Sequence, residues 1–304
     1  MTEFVKGKVS DRAKYFNAFN LIKGIGPISL KKILSRFDSL EDAWSANLNE
    51  LRQAGLNRST LEQIKYQRPK INPDREIERL IKEGIDLITI NDKAYPELLK
   101  EIYIPPPLLY IRGNLKSSDR ISLGVVGTRQ LSAYGHRITP LITADLARAG
   151  LTIISGLAKG IDTLAHKAAL KANGRTIAVL GSGLDKKNIY PQVNQHLSEI
   201  ISQEGALLSE FPIGTKPFAQ NFPQRNRIVA GLSLGILVIE APKKSGALIT
   251  ARNALEQNRD VFAVPGSIFS RNSLGPNNLI KLGAKLVNQA SDILDELNLD
   301  SKKD

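Results

Sequence analysis

The stretch GVVGTRQLSAYG, residues 124–135, sets Gly124, Gly127 and Gly135 around a cation, Arg129. Glycines at a strand-to-helix turn let backbone N–H groups approach a phosphate, and the next helix N-terminus favours its charge. The spacing is not the G-x-G-x-x-G of a dinucleotide loop, and Arg129 stands where such loops offer only backbone. Similar turns recur as SGLAKG, GSGLDKK, SEFPIGTKPF, EAPKKSG and VPGS. Tight βα turns account for several of the glycines but not for the recurrent Lys and Arg. Together they predict an anion-binding edge.

The densest passage is SEFPIGTKPFAQNFPQRNRIVAGLS, residues 209–233. Lys216, Phe218, Phe222, Arg225 and Arg227 interleave cations with rings. Single-stranded nucleic acid wants that combination, a cationic track for phosphates and flat side chains for bases, at about 1–3 kcal/mol per stacked base. The plainer alternative buries Phe218 and Phe222 and leaves Arg225 as a surface charge.

Catalytic signatures are sparse. GLSLG, residues 231–235, has the letters of a nucleophile elbow, but it follows a helical stretch and precedes a strand, the reverse of the order an elbow needs. Walker A and H-E-x-x-H are absent. The three histidines, His136, His166 and His196, lie in separate helical stretches, and His166 reads as a packing or capping residue. Asp162, Asp185, Glu210 and Glu240 stand near strand ends, either as acid–base groups or, as we favour, as partners that orient nearby Lys and Arg. We therefore expect a binding protein with no catalytic residue, cofactor or metal. The rival reading is a Rossmann-fold hydrolase acting on nucleoside monophosphates through one of these carboxylates. A scaffold that touches only proteins is a third.

The elements that must hold these residues follow from hydrophobic periodicity. Apolar runs at 85–90, 108–112, 121–127, 151–156, 175–181, 206–211, 235–241, 260–266 and 284–288 read as strands. Helix-length stretches at 134–149, 158–172, 191–203, 222–232, 245–258 and 275–283 separate the later ones. Strands apolar almost throughout, with helices between, predict a doubly wound, mostly parallel, Rossmann-like α/β sheet. Ligands then bind at the carboxyl ends of the strands, where the turns quoted above fall.

Residues 1–72 differ, reading as several short amphipathic helices. RPKINP marks a linker, so the expected domains are 1–72 and 73–297. IKGIGPISLKKIL, residues 22–34, has the shape of a helix-hairpin-helix turn, which either touches DNA, with Lys31 and Lys32 behind it, or binds protein.

Bulk composition sets bounds on partners. A net charge of +12 over 304 residues points to a polyanion, either nucleic acid or an anionic membrane surface. The absence of cysteine excludes disulfides and thiolate chemistry. No apolar run reaches membrane-span length and the first twenty residues lack a signal-peptide core, so the expectation is a cytoplasmic soluble protein with no membrane partner.

Six passages taken together resemble the DprA/Smf family of DNA-processing proteins. They are GVVGTRQLSAYG, SGLAKGIDTLAHKAAL, AVLGSGLDKKNIYP, SEFPIGTKPFAQNFPQRNRIVAGLS, EAPKKSGALITARNAL and VFAVPGSI with LGPNNLIKLGA, in family order over residues 85–290. The N-terminal helices resemble the sterile-alpha-motif or helix-hairpin-helix-like domain that often precedes this core. The resemblance implies a recombination mediator that binds single-stranded DNA, protects incoming strands in natural transformation, homodimerises and loads RecA on strands covered by single-strand-binding protein. By motif it implies a pocket of Arg129, Lys159, Gly181, Gly183, Lys216, Phe218, Asn221, Arg225, Asn226 and Arg227. Arg129, Lys216 and Arg225 would hold phosphates and Phe218 would stack, while Ser155, Gly156 and Ser182 would offer donors. KKSGALITAR would either support the core or line the groove through Lys243 and Ser245. Many family members continue into a winged-helix-like C-terminal domain. This sequence stops at SDILDELNLDSKKD, so none is expected.

Overall fold

The computed structural model describes residues 13–299. The expectation about a signal peptide concerns residues outside this range in part.

Six helices come first: α1 (Ala13–Leu21), α2 (Pro27–Leu34), α3 (Leu40–Ser45), α4 (Leu48–Gln53), α5 (Arg58–Gln67) and α6 (Pro73–Lys82). Their starts are written in the sequence. Ser39, Asn57 and Asn72 accept first-turn N–H bonds, Asn47 and Glu50 form a capping box, and Pro27 and Pro73 open α2 and α6. The boundary expected at residue 72 falls on the cap of α6, yet α6 packs against α1 and buries Leu80 in the helical core. The helical layer therefore extends to Lys82. Its apolar cluster runs on without a break into Leu87, Tyr110 and Leu207 of the sheet.

The sheet is built from β1 (Asp86–Thr89), β2 (Leu108–Gly113), β3 (Ser122–Val126), β4 (Thr152–Ser155), β5 (Thr176–Val179), β6 (Ala206–Ser209), β7 (Gly235–Val238), β8 (Asp260–Ala263) and β9 (Lys285–Leu286). The order is β1-β2-β6-β5-β4-β3-β7-β8-β9; β2 is antiparallel to β1 and β6, and every other pairing is parallel. The remaining helices are α7 (Glu97–Lys100), α8 (Ala133–Arg148), α9 (Ile161–Lys171), α10 (Gln195–Glu204), α11 (Asn221–Leu232), α12 (Gly246–Glu256), α13 (Leu274–Lys281) and α14 (Ser291–Glu296). α8, α9 and α14 pack on one face, with Leu146, Ala165 and Ile293 in their core. α11 and α12 cover the other with Ile228, Val229 and Ala251. Strands β3 to β7 are buried at every position, as continuous apolar runs require.

This is the mostly parallel α/β architecture expected, preceded by a helical region. Successive strands step one way from β3 through β4, β5 and β6, then the other way through β7, β8 and β9. A crevice opens where the winding reverses, above the carboxyl ends of β3, β4 and β7. Among the described residues, no helix is long and apolar enough to cross a membrane.

Candidate nucleic-acid interface

A cavity of about 650 Å3 occupies that crevice, walled by the turns after β3, β4 and β7 and by one face of α11. Phe222, Arg225, Asn226 and Val229 supply the α11 wall, at the i, i+3, i+4, i+7 spacing of a single helical stripe. Ser245 and Gly246 bring the N-terminus of α12 to the cavity, and Gly156, Ala158 and Asp162 that of α9. The dipoles of both helices make this floor attractive to an anion.

Arg129 is exposed, with Cζ 5.6 Å from the centre of the Phe222 ring. Tyr190, a residue 44% exposed, also lines the cavity, with its ring centre 5.7 Å from that of Phe222. A guanidinium over one ring of an aromatic pair offers a phosphate contact next to flat surface for a base. Lys244 adds a second exposed cation to the lining. Gly160 holds the Arg129 turn in place. It has φ +86, and a Cβ there would sit 2.8 Å from Arg129 Cα as well as striking the Thr128 carbonyl.

Several expected contacts are placed differently. Arg225 is only 4% exposed; its Nη1 donates to Gly156 O at 2.8 Å and to Val179 O. Burial lowers its pKa to about 10, against the attraction of Asp162, which favours the charged form. Arg225 thus knits together the turns after β4 and β5 through Nη1, while its Nε donates to Asn226 Oδ1 at 3.2 Å. Arg227 leaves the site altogether. Its Nη1 donates to Ile104 O at 2.8 Å and its Nη2 pairs with Glu210. Residues two apart on a helix point about 200° from each other, so a cationic run in the sequence splits onto opposite faces.

The serines are occupied too. Ser155 Oγ donates to Val125 O at 2.6 Å and Ser182 Oγ to Asn188 O at 2.7 Å, both deep inside. Gly181 lies against the start of α11, where Asn221 Nδ2 donates to Gly181 O at 3.0 Å, and Gly183 against the 212–215 loop, its N donating to Thr215 O at 2.9 Å. Asn226 holds Gly246 O at 3.2 Å and so fixes the start of α12. Ser245 caps that helix by accepting from Ala247 N. Lys159 points into a separate groove beside Lys167 and His196. Lys216, Phe218 and Lys243 are exposed on loops at the rim, Phe218 by 55%. The structure thus brings Arg129, Gly156, Arg225, Asn226 and Ser245 to one cavity and sets the others around or behind it.

The strand-end carboxylates are all engaged. Asp162 accepts from Gly156 N and Ala158 N at 3.2 and 3.3 Å; burial raises its pKa while Arg225 pulls it down. Glu240 accepts from Ser132 N at 3.0 Å and from the Ser132 hydroxyl. Asp185 accepts from Gly214 N at 2.8 Å. Glu210 is raised by burial, opposed by its partner Arg227. The expected pairing with a cation therefore holds at Glu210, whereas Asp162, Asp185 and Glu240 brace backbone, amide and hydroxyl groups. Ser233 of GLSLG is buried and donates to Val229 O at 2.8 Å, as a helix-packing residue does. In the hairpin turn before α2, Lys23 N donates to Gln67 Oε1 at 3.2 Å and Ile25 N to Ile22 O at 3.1 Å, so those two groups serve the fold.

Tyr190, Lys244 and Asp162 line the cavity without having been assigned to the pocket from sequence. The signal for Tyr190 was the aromatic in NIYP; for Lys244, it was the second lysine of PKKSG.

The family described as DNA recombination-mediator protein A matches residues 86–298, the sheet and its covering helices. The chain belongs to this family. The Smf protein of Synechocystis sp. is 46% identical over 288 residues, spanning 93% of this chain and 72% of that protein. DNA processing protein DprA of Bacillus subtilis is 48% identical over 217 residues, spanning 71% of this chain and 72% of its own. The X-ray structure of DprA from Streptococcus pneumoniae superposes with a TM-score of 0.80 at 36% identity, over 96% of this chain and 99% of that one. A DprA structure from Helicobacter pylori, described for its single-stranded DNA binding mode, gives 0.62 at 30% identity over 70% of this chain and 95% of that chain.

Proposed function

We propose that this protein is a non-enzymatic recombination mediator that holds single-stranded DNA in the cavity above β3, β4 and β7. Arg129 contacts a phosphate there, helped by Lys244, Lys216 and the two helix N-termini, while Tyr190, Phe222 and Phe218 meet the bases. In this reading the protein protects incoming strands during natural transformation, bridges them as a homodimer, and passes them to RecA on DNA covered by single-strand-binding protein.

The observation that carries the reading is the exposed Arg129 guanidinium over the Phe222 ring, in a cavity onto which two helix N-termini open. The single-stranded DNA binding mode described for the Helicobacter pylori relative supports it. The commitment of Asp162, Asp185, Glu210 and Glu240 to protein partners supports binding over hydrolysis.

Anisotropy of labelled single- and double-stranded oligonucleotides across a salt series is the test. Single strands should bind more tightly, with log affinity falling by about 0.7 per phosphate contact for each unit of log salt. Affinity that barely moves with salt would refute the phosphate groove.

A further inference from the structure

The loop between β8 and α13 leaves Ile268 77% and Phe269 94% exposed, with Arg271 exposed beside them. The Arg129 cavity does not account for this apolar tip. The loop is tied down at several points. Tyr134 Oη donates to Pro265 O at 3.0 Å, and Asn277 exchanges two bonds with the backbone of Gly266. Asn272 Nδ2 donates to Gln130 O at 2.9 Å, and Asn272 O accepts from Ala241 N at 2.7 Å. Gln130 adjoins Arg129, and Ala241 precedes the turn that carries Lys243 and Lys244. One asparagine therefore fastens the loop to two walls of the cavity while the Phe269 ring projects into solvent.

We infer that Phe269 is a second base-stacking platform, which takes a nucleobase of the same strand whose phosphates the Arg129 cavity holds. The inference rests on the proposed function of that cavity. Three observations favour a nucleobase as the occupant. The loop is continuous with the cavity wall through Asn272. The exposed charges along the way, Arg129, Lys243, Lys244 and Arg271, are all cationic and suit a phosphate backbone. A lone ring held at the end of a fixed loop stacks on any base without selecting sequence.

The topology also sets a length. Arg129 follows β3 and Phe269 follows β8, two strand spacings apart in the sheet order, or about 10 Å at ~4.8 Å per strand. At ~3.4 Å per nucleotide, a stacked strand spans that distance in about three nucleotides. A dinucleotide seated on Arg129 leaves Phe269 empty.

The test compares oligothymidylates of about 2 and about 16 nucleotides, the longer at the upper end of the site sizes of single-strand binders. Phe269→Ala should lower affinity for the long oligomer about 5- to 150-fold, equivalent to about 1–3 kcal/mol, and leave the short one unchanged. Phe269→Trp should restore long-oligomer affinity, with its fluorescence quenched on binding; the single native tryptophan, Trp44, lies in the N-terminal helices. Unchanged long-oligomer affinity in Phe269→Ala overturns the inference, as does an equal loss at both lengths. Weakened self-association in sedimentation with long-oligomer affinity intact also overturns it and assigns the ring to a contact between copies. Arg129→Ala separates the two claims: it should weaken both lengths, and no effect on either overturns the cavity reading itself.

Discussion

Arg225 donates from Nη1 to the carbonyl oxygen of Gly156 at 2.8 Å, while the Gly156 amide donates to Asp162. A single residue of the β4 turn is thus gripped on both sides, by a guanidinium from α11 and a carboxylate from α9, helices on opposite faces of the sheet. Glycine is required at that point, because a Cβ would drive into the Arg225 guanidinium. The shape of the cavity floor depends on this clamp.

Arg225→Ala should therefore act through stability. It leaves the carbonyl oxygens of Gly156 and Val179 without their donor and opens a hole under the cavity floor, and each buried polar group left unpaired costs about 1–3 kcal/mol. The melting temperature and single-strand affinity should fall together. A loss of affinity with an unchanged melting temperature would instead make Arg225 a direct phosphate contact.

Arg129→Ala should show the opposite pattern. Its side chain is exposed, so thermal unfolding stays within about 0.5 kcal/mol of the parent. Single-strand affinity drops, and the salt slope becomes shallower by about 0.7 if one phosphate contact is lost. Titrations at several salt concentrations read both.

Gly160→Ala tests how the Arg129 turn is held. The backbone at φ +86, ψ −128, a conformation glycine adopts freely and other residues rarely, alone costs about 1–3 kcal/mol with a side chain, and the added carbon presses on the Thr128–Arg129 backbone. Binding should weaken although no ligand contact has been removed. Wild-type affinity in this variant would show that the turn tolerates displacement.

His166 predicts a pH dependence. It is fully buried, its Nδ1 is 2.7 Å from Thr176 Oγ1, and burial pushes its pKa down to about 3. Thr176 Oγ1 already donates to Ile153 O, which assigns the proton of this bond to Nδ1. Unfolded, the imidazole titrates near ~6.5. Between the two values the unfolded chain holds the extra proton, so stability falls as pH drops through that window, by up to about 1.4 kcal/mol per pH unit. Above ~6.5 the contribution is flat. The raised carboxyls of Asp162 and Glu210 work in the opposite direction, since the native state then binds the extra proton, but they are shared with a His166→Gln variant. Urea melts of both proteins should converge in slope above neutrality and diverge in acid; parallel curves throughout would refute the assignment.

Much of the fold was legible in the chain. The continuous apolar strands fell within their expected ranges because a parallel sheet covered on both faces has no wet side on which to place polar residues. Helix starts were less legible. The helix expected from 158 begins at Ile161, because the residues before it form the Gly156–Gly160 turn. The helix expected from 191 begins at Gln195, after a short 3-10 turn at Gln192–Asn194.

The sequence by itself determined the βα alternation, the edge of the sheet that carries glycines and cations, and the family. Each of these is periodic or local, set by residue type and spacing along the chain. Which cation faces a ligand was decided only by the tertiary structure. Arg129, Lys159, Arg225 and Arg227 are equivalent as letters, yet one faces the cavity, one an adjoining groove, one lies beneath the cavity, and one pairs with Glu210. Helix phase and long-range carbonyl partners make that distinction. Val179 stands 46 residues from Arg225 and Ile104 123 residues from Arg227, separations that no local pattern encodes.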